Sequence, residues 1–289
     1  LPIDSNTASK SLAAGLYIVA TPIGNARDIT LRALDVLSGA NVIAAEDTRV
    51  TRRLLDIHGI KAPEIVRYDE HVAERARPLL LARIAAGEAV ALATDAGTPL
   101  VSDPGYRLAA AAIAESLKVI PIPGASAPLA ALALAGLPSD RFLFAGFAPN
   151  RSGQRRKWLA EIAETQATLI LFENAKRLAS SLNDMAVVLG DRQACVTREL
   201  TKLFEEARRG TLSELAAHYA ESGPPKGEIT LVIGPPKPVE LDETVLDDLL
   251  EDLLNTLSVK DAATQAAERT GSPRKQAYQR ALAIKQEKA

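Results

Sequence analysis

Along roughly the first 125 residues, short apolar runs alternate with stretches whose apolar positions recur at helical spacing. The apolar runs are residues 16–21, 42–46, 64–68, 89–94 and 118–122, and their length predicts strands. The helical pattern falls between them, at residues 30–37, 48–58, 72–86 and 103–115. Strands alternating with helices in this way predict an α/β fold with a largely parallel sheet and helices on both faces. The pattern loosens after a cluster of Pro and Gly near residues 121–128. Strands are still expected at 142–145, 168–172, 194–197 and 228–233, without clean alternation, which points to a mixed sheet in a second domain.

Pro235-Pro236-Lys237-Pro238 then reads as a stiff linker. Beyond it the charge switches sign. Residues 240–257 hold seven acids and no base, whereas residues 258–289 hold seven bases against three acids. Ser258-Val-Lys-Asp261 resembles a capping box that opens a helix. Ala262, Ala263, Ala266 and Ala267 give that helix a small-residue face, and Gly271 is placed to stop it. Ser272-Pro273 starts another helix, carrying Arg274, Lys275 and Arg280. Helix, tight turn and basic helix suit either a packed helical hairpin or a nucleic-acid-docking helix-turn-helix.

Composition narrows the class without naming a partner. The chain has 289 residues, 47% hydrophobic and 24% charged, with a net charge of −2. That suits a folded protein of two domains and a small appendage. Aromatics are 4% of the chain, so the core must be aliphatic and rich in alanine. The single Cys195 allows no intramolecular disulfide, which fits a reducing, cytoplasmic setting. The longest apolar stretch, residues 127–137, is too short to span a bilayer, and no membrane association is expected. Residues 1–15 are polar, small and aperiodic and read as a disordered tail, with no secretory signal.

Candidate chemistry sits at the ends of the expected strands. Thr21-Pro22-Ile23-Gly24-Asn25, Asp95-Ala96-Gly97-Thr98-Pro99 and Pro123-Gly124-Ala125-Ser126 are turns stiffened by Pro and opened by Gly. Each alone is an ordinary connection, but ligands in open parallel sheets bind outside the carboxyl ends of strands. Polar groups gather there too: Glu46-Asp47-Thr48-Arg49, Asp95, Glu173-Asn174 and Arg198-Glu199. Asp47 and Thr48 also suit a helix N-cap, as does Ser102-Asp103-Pro104-Gly105. Basic residues cluster as Arg49, Arg52 and Arg53; as Arg151, Arg155, Arg156 and Lys157; and as Lys202, Arg208 and Arg209. They are either solvated surface or a phosphate track. G-x-G-x-x-G and the P-loop are absent, and scattered His58, His71 and His218 offer no zinc signature. No metal is expected.

Several segments together resemble the ribosomal RNA small subunit methyltransferase I family, of the tetrapyrrole methylase superfamily. They are Leu16-Tyr-Ile-Val-Ala-Thr-Pro-Ile-Gly-Asn25, Ala45-Glu-Asp-Thr-Arg49, Thr94-Asp-Ala-Gly-Thr-Pro-Leu-Val-Ser-Asp-Pro-Gly105 and Pro121-Ile-Pro-Gly-Ala-Ser126. Gly146-Phe-Ala-Pro149, Phe172-Glu-Asn174, Thr197-Arg-Glu-Leu-Thr-Lys202 and Lys226-Gly-Glu-Ile-Thr230 continue the likeness. The resemblance implies a two-domain tetrapyrrole-methylase fold, residues 16–123 and 124–236, with a helix-turn-helix-like extension at 240–289. It implies a homodimer that uses S-adenosylmethionine to methylate the ribose 2′-hydroxyl of a cytidine in the decoding region of 16S rRNA, within the small ribosomal subunit. By motif position the cofactor should meet Pro22, Gly24, Gly97, Thr98, Pro99, Val101, Ser126 and Ala127 on one side. Phe172, Glu173, Leu200, Gly227, Glu228 and Ile229 should close the other.

In that reading Asp47 or Glu46 orients or deprotonates the hydroxyl, with Asp103 and Glu199 as substitutes, and Arg49 and Lys202 hold phosphate. Arg52, Arg53, Arg155, Arg156, Lys157, Arg274, Lys275 and Arg280 are the expected RNA contacts. The cofactor segments alone also suit a methyltransferase acting on a tetrapyrrole. The basic helices alone suit a non-catalytic ribosome-assembly factor.

Overall fold

The computed structural model describes residues 12–100, 105–236, 243–270 and 272–287. The chain divides into two compact units, Leu1–Pro236 and Lys237–Ala289. The expected tail lies, for residues 1–11, outside the described residues, and Gly15 already belongs to a strand.

The first unit contains two five-stranded sheets. The first sheet is built from β1 (Gly15–Val19), β2 (Val42–Ala45), β3 (Glu64–Arg67), β4 (Ala89–Ala93) and β5 (Val119–Ile122), in the order β3-β2-β4-β1-β5. Every pairing in it is parallel. β1, β2 and β4 are buried along their whole length, which is why they read as unbroken apolar runs. Between them run α1 (Leu31–Gly39), α2 (Thr48–Ile57), α3 (Ala73–Ala85) and α4 (Tyr106–Ala114). These helices cover both faces, giving two aliphatic layers around Leu16, Val90 and Leu92 on one side and Val19, Ile43 and Leu37 on the other.

The second sheet contains β6 (Phe142–Phe147), β7 (Thr168–Glu173), β8 (Gln193–Arg198), β9 (Glu206–Thr211) and β10 (Ile229–Ile233), in the order β6-β7-β10-β8-β9. Only β6 and β7 run parallel; the other neighbours are antiparallel, so the sheet is mixed as expected. The strand that the pattern missed is β9, Glu-Ala-Arg-Arg-Gly-Thr. It is an edge strand, and charge on an edge discourages pairing with other chains. Of the helices α5 (Ala127–Ala135), α6 (Ser152–Ile162), α7 (Leu178–Leu189) and α8 (Leu212–Ser222), α5 packs on this sheet although it leaves the first. Its Ala131, Leu132 and Ala135 share a core with Ile170, Cys195 and Val232. Cys195 is a buried small hydrophobe there.

The second unit has α9 (Glu243–Leu254), α10 (Val259–Thr270) and α11 (Arg274–Glu287). Leu246, Leu250 and Leu253 of α9 pack on the alanine face expected at Ala262, Ala263, Ala266 and Ala267, with Ala277, Ala281 and Ile284 of α11. Ser258 accepts from the Asp261 backbone N–H at 3.2 Å, as the capping signal suggested. Gly271 lies outside the described residues. Among the described residues no helix is long and apolar enough to cross a membrane.

Candidate functional site

The strand order decides which turns meet. β4, β1 and β5 are neighbours, so the three Gly-containing turns leave the same end of the sheet side by side. Thr21 and Gly97 exchange backbone hydrogen bonds at 2.9 and 3.0 Å. The Thr98 hydroxyl donates to the Ala125 carbonyl at 3.0 Å, and the Thr21 hydroxyl to the Thr94 carbonyl at 3.1 Å. Gly97 holds φ 82°, a conformation that side chains disfavour, which lets this turn fold back on the first.

Opposite these turns the second sheet supplies another wall, and the two enclose a cleft of about 610 Å³. Gly97, Thr98, Ser126 and Ala127 line it from the first side, with Phe172, Glu173, Leu200, Gly227, Glu228 and Ile229 on the other. Pro22, Gly24 and Pro99 do not line it, and Val101 and Asp103 lie outside the described residues. A Cβ on Gly24 would come within 2.5 Å of the Lys202 side chain and 2.8 Å of the Leu200 carbonyl. Gly24 is therefore small because two turns of the protein meet there. Asn25 N–H donates to the Thr201 hydroxyl at 3.0 Å across the same junction.

Asn174, noted at its strand exit, also lines the cleft, as do Ile23, Ala96, Phe147, Lys176 and Lys226, which were not expected as cofactor contacts. Most lie inside or one residue from the motif segments, so the segments carried the signal more faithfully than the chosen residues did.

Glu173 is the most telling wall residue. Its side chain is fully buried; one oxygen accepts from Asn174 N–H at 2.6 Å and from Arg177 at 2.7 and 3.1 Å. The other, Oε2, is buried with no partner. A buried carboxylate oxygen without a donor is costly, and a ligand donor in the cleft would relieve it. Phe172 is flanked by Phe144 and Phe147 at ring distances of 5.0 and 5.2 Å, giving an apolar face beside that oxygen.

The turn after β8 is strained. Glu199 and Thr201 sit at φ 50° and 62°, uncommon for residues with side chains. Lys202 anchors it, donating to Glu199 at 2.9 Å and Glu228 at 2.8 Å. Burial works to lower the Lys202 ammonium, but its two carboxylate partners outweigh that and raise it. Lys202 is thus neutralised within the wall and braces the turn; it is not set out for phosphate. Gly227, at φ 102°, leaves room for the Glu199 carboxylate, which a Cβ would meet at 2.5 Å.

Along the sheet from the cleft, the ends of β4 and β2 carry the acids. Asp95 N–H donates to Glu46 at 3.3 Å, and Asp47 N–H donates to Asp95 at 3.0 Å, so the two strand exits brace each other. Burial raises both Glu46 and Asp95, and the nearby Asp95, Asp69 and Glu70 charges raise Glu46 further. Asp47 differs. It caps α2, accepting from Arg49 N–H at 2.8 Å, and pairs with the Arg49 guanidinium at 2.5 Å. The Arg49 hydrogen bonds hold its carboxyl far below the usual carboxylate range.

The expected basic track breaks up. Arg155 is a correction: its side chain is 2% exposed and grips Asp184 at 2.5 and 2.9 Å, and its third nitrogen donates to the Pro149 and Asn150 carbonyls. A guanidinium so enclosed cannot reach RNA. Arg156 is half-exposed but shares Asp184 at 2.6 Å, while Lys157 is exposed. Arg209 donates to the Ala135 and Leu134 carbonyls at the end of α5, a helix C-cap that suits a cation. Arg49, Arg52 and Arg53 stand exposed on α2. In the second unit Arg280 forms a two-pronged pair with Asp247 at 2.6 and 2.7 Å, joining α11 to α9, whereas Arg274 and Lys275 are exposed.

A family model for tetrapyrrole (corrin/porphyrin) methylases matches residues 15–216, and one for the RsmI C-terminal HTH domain matches residues 240–285. Proteins named ribosomal RNA small subunit methyltransferase I are similar over nearly the whole chain. That of Mesorhizobium japonicum is 51% identical, covering 96% of this chain and 94% of its own. That of Erythrobacter litoralis is 49% identical over 96% and 98%, and that of Halalkalibacterium halodurans 43% over 91% and 93%. The chain belongs to the tetrapyrrole methylases and, within them, to the ribosomal RNA small subunit methyltransferase I family. Solved structures agree on the fold. Cobalt precorrin-4 methyltransferase superposes with TM-score 0.57 at 21% identity, covering 76% of this chain and 94% of its own. A Thermus thermophilus uroporphyrin-III C-methyltransferase complexed with S-adenosyl homocysteine gives 0.54 at 19%, over 76% and 97%.

Proposed function

We propose that this protein transfers a methyl group from S-adenosylmethionine to the ribose 2′-hydroxyl of a cytidine in the decoding region of 16S rRNA, acting as a homodimer on the small ribosomal subunit. The observation that carries this reading is the adjacency, along one sheet end, of a ligand-sized cleft and the Glu46–Asp95 carboxyl pair raised by burial. The cleft fits the cofactor. Its volume lies within the range of small-molecule sites. Glu173 Oε2 lacks a donor, Phe172 and Phe147 offer an apolar face, and the Gly97 turn lets backbone approach closely. Gly97, Thr98, Ser126 and Ala127 would hold it from the first sheet, and Phe172, Glu173, Leu200 and Gly227 from the second.

When bound, S-adenosylmethionine supplies a methyl carbon already activated by a sulfonium. The chain's own residues then have two tasks. The walls of the cleft align the reacting groups and exclude water. A carboxylate accepts the proton that the ribose hydroxyl must lose, and Glu46 is the residue we assign to this role. Its raised carboxyl is a stronger base than Asp47, which Arg49 holds ionised and weakly basic. Asp95 positions it through the backbone hydrogen bond. The homodimer assignment draws support from Leu203 and Phe204, apolar side chains 91% and 68% exposed beside the braced Lys202 turn.

The test is to incubate the protein with methyl-labelled S-adenosylmethionine and either small subunits or naked 16S rRNA lacking the modification, then map the label. Label on one cytidine ribose is expected, and the better substrate identifies the physiological one. Cofactor binding without label on either RNA would overturn the proposal.

A further inference from the structure

A hollow of about 420 Å³ lies beyond the acid pair, lined by Tyr68, Glu70, Glu74, Arg77, Tyr106 and Arg107 among others. The strand order explains its place: β3 neighbours β2, and Tyr68 follows β3 with its N–H on the Ala45 carbonyl at 2.7 Å. Glu46, at the end of β2, is near enough to Glu70 of this lining to feel its charge.

Two of the lining residues carry polar atoms that are buried and unpartnered. Tyr68 is 1% exposed and its hydroxyl has no hydrogen bond. Arg77 leaves both Nε and Nη2 buried and unbonded. Those two nitrogens form the edge of a guanidinium that donates two parallel hydrogen bonds to a pair of adjacent acceptors. Buried polar atoms of this kind call for a partner, and three of the seven among the described residues belong to the lining of this hollow.

The lining chooses among ligands. A phosphate would satisfy Arg77 but would meet the carboxylate of Glu70, whereas Glu74 is paired with Arg107 at 3.6 Å. The Watson–Crick edge of cytosine presents two adjacent acceptors, O2 and N3, followed by an amino donor. Arg77 answers the acceptors and Glu70 the donor. Uracil inverts the last two groups and would set a carbonyl against a carboxylate. Tyr106, 71% exposed at the start of α4, offers a ring on which a base can stack.

We propose that this hollow receives the base of the target nucleotide, turned out of its stack, and that Arg77 and Glu70 select cytosine. The inference rests on the RNA reading above and adds to it the residues that choose the base. Enzymes that act on one nucleotide commonly extrude it into such a pocket, paying the unstacking cost through contacts to its edge.

The test uses the full-length protein and small subunits carrying either cytidine or uridine at the target position. Wild-type protein should prefer cytidine by roughly ten- to a hundredfold in kcat/KM. Glu70→Gln, on an exposed residue, should narrow that preference about tenfold, because an amide can donate to the uracil carbonyl. Arg77→Met should lower kcat/KM on cytidine by a similar factor while cofactor binding, measured by calorimetry, stays the same. An unchanged cytidine-to-uridine ratio in Glu70→Gln would overturn the proposal. So would an Arg77→Met protein whose RNA affinity falls equally for both bases with a shallower salt dependence, the mark of a phosphate contact. If wild-type protein binds cofactor yet methylates neither subunit, the RNA reading itself has failed, which these variants do not mimic.

Discussion

The acids of the second lobe and the Glu46–Asp95 pair at the end of the first sheet live under opposite conditions. In the second lobe they are matched: Asp184 by Arg155 and Arg156, Glu199 by Lys202, and one oxygen of Glu173 by Arg177. Partner hydrogen bonds lower Glu199, and in Asp184 they outweigh the opposing effect of burial. At the end of the first sheet, half-buried Glu46 and the more exposed Asp95 have each other and backbone N–H groups for company, and desolvation raises both. Matched acids fix structure, whereas acids left under-matched keep the basicity that a proton-transfer role requires. The second lobe is thus a wall braced by ion pairs, and the under-matched pair stands at the end of the first sheet.

The largest effect should come from removing the under-matched acid. Glu46→Gln is expected to lower turnover by about a hundred- to ten-thousandfold with cofactor affinity unchanged, read by label transfer and calorimetry side by side. The wild-type rate should fall as pH drops through the Glu46 value, which burial raises above that of a free glutamate. Because the folded protein holds that proton more tightly than the unfolded chain, ionising Glu46 costs stability as pH rises. Glu46→Gln should therefore melt higher than wild type at neutral pH and match it in acid. A variant with full turnover would move the base role elsewhere.

The matched acid should show the reverse. Asp184→Asn leaves Arg155 buried and uncompensated, and should destabilise the fold by about 3–5 kcal/mol. Asp184 is lowered in the folded state, so its stabilisation is complete above the ordinary carboxylate value and is lost as pH falls through the folded one. Denaturant midpoints of the two proteins should accordingly converge in acid. Equal midpoints at neutral pH would mean that the pair contributes nothing.

This contrast was only partly legible in the sequence. The first sheet announced itself because strands buried on both faces must be apolar throughout. Its strand order then follows from no local signal, yet it is what sets Glu46 beside Asp95 and both beside the Gly97 turn. Arg155 looked like surface because it stands in a basic run, and its partner Asp184 lies 29 residues away on another helix. β9 was hidden by the charges that protect an edge. Gly24 was read as a cofactor contact, but the group that approaches it is Leu200–Lys202 of the same chain. Periodicity reports burial of elements; it does not report which distant charge will meet which.

Glu173 sits between the two conditions, with one oxygen matched and one open. Glu173→Gln keeps the shape and can still accept from Arg177, but it weakens the open acceptor. Cofactor affinity should drop by about tenfold, with little change in melting temperature. Unchanged affinity together with a lower melting temperature would make Glu173 a wall brace alone.

The smallest effect should come from Asp47, the nearest sequence neighbour of the proposed base. Its carboxylate is spent on Arg49 N–H and the Arg49 guanidinium at the start of α2. Asn caps a helix about as well as Asp, so Asp47→Asn should leave turnover within about twofold and stability nearly unchanged. Asp47→Ala removes the cap and should cost about 1 kcal/mol of stability, again without a large change in rate. A loss in Asp47→Asn as large as that in Glu46→Gln would place the proton on Asp47. It would also show that matching by Arg49 does not disqualify an acid from chemistry, and the distinction between the two lobes would then have to rest on position along the sheet end instead of on charge.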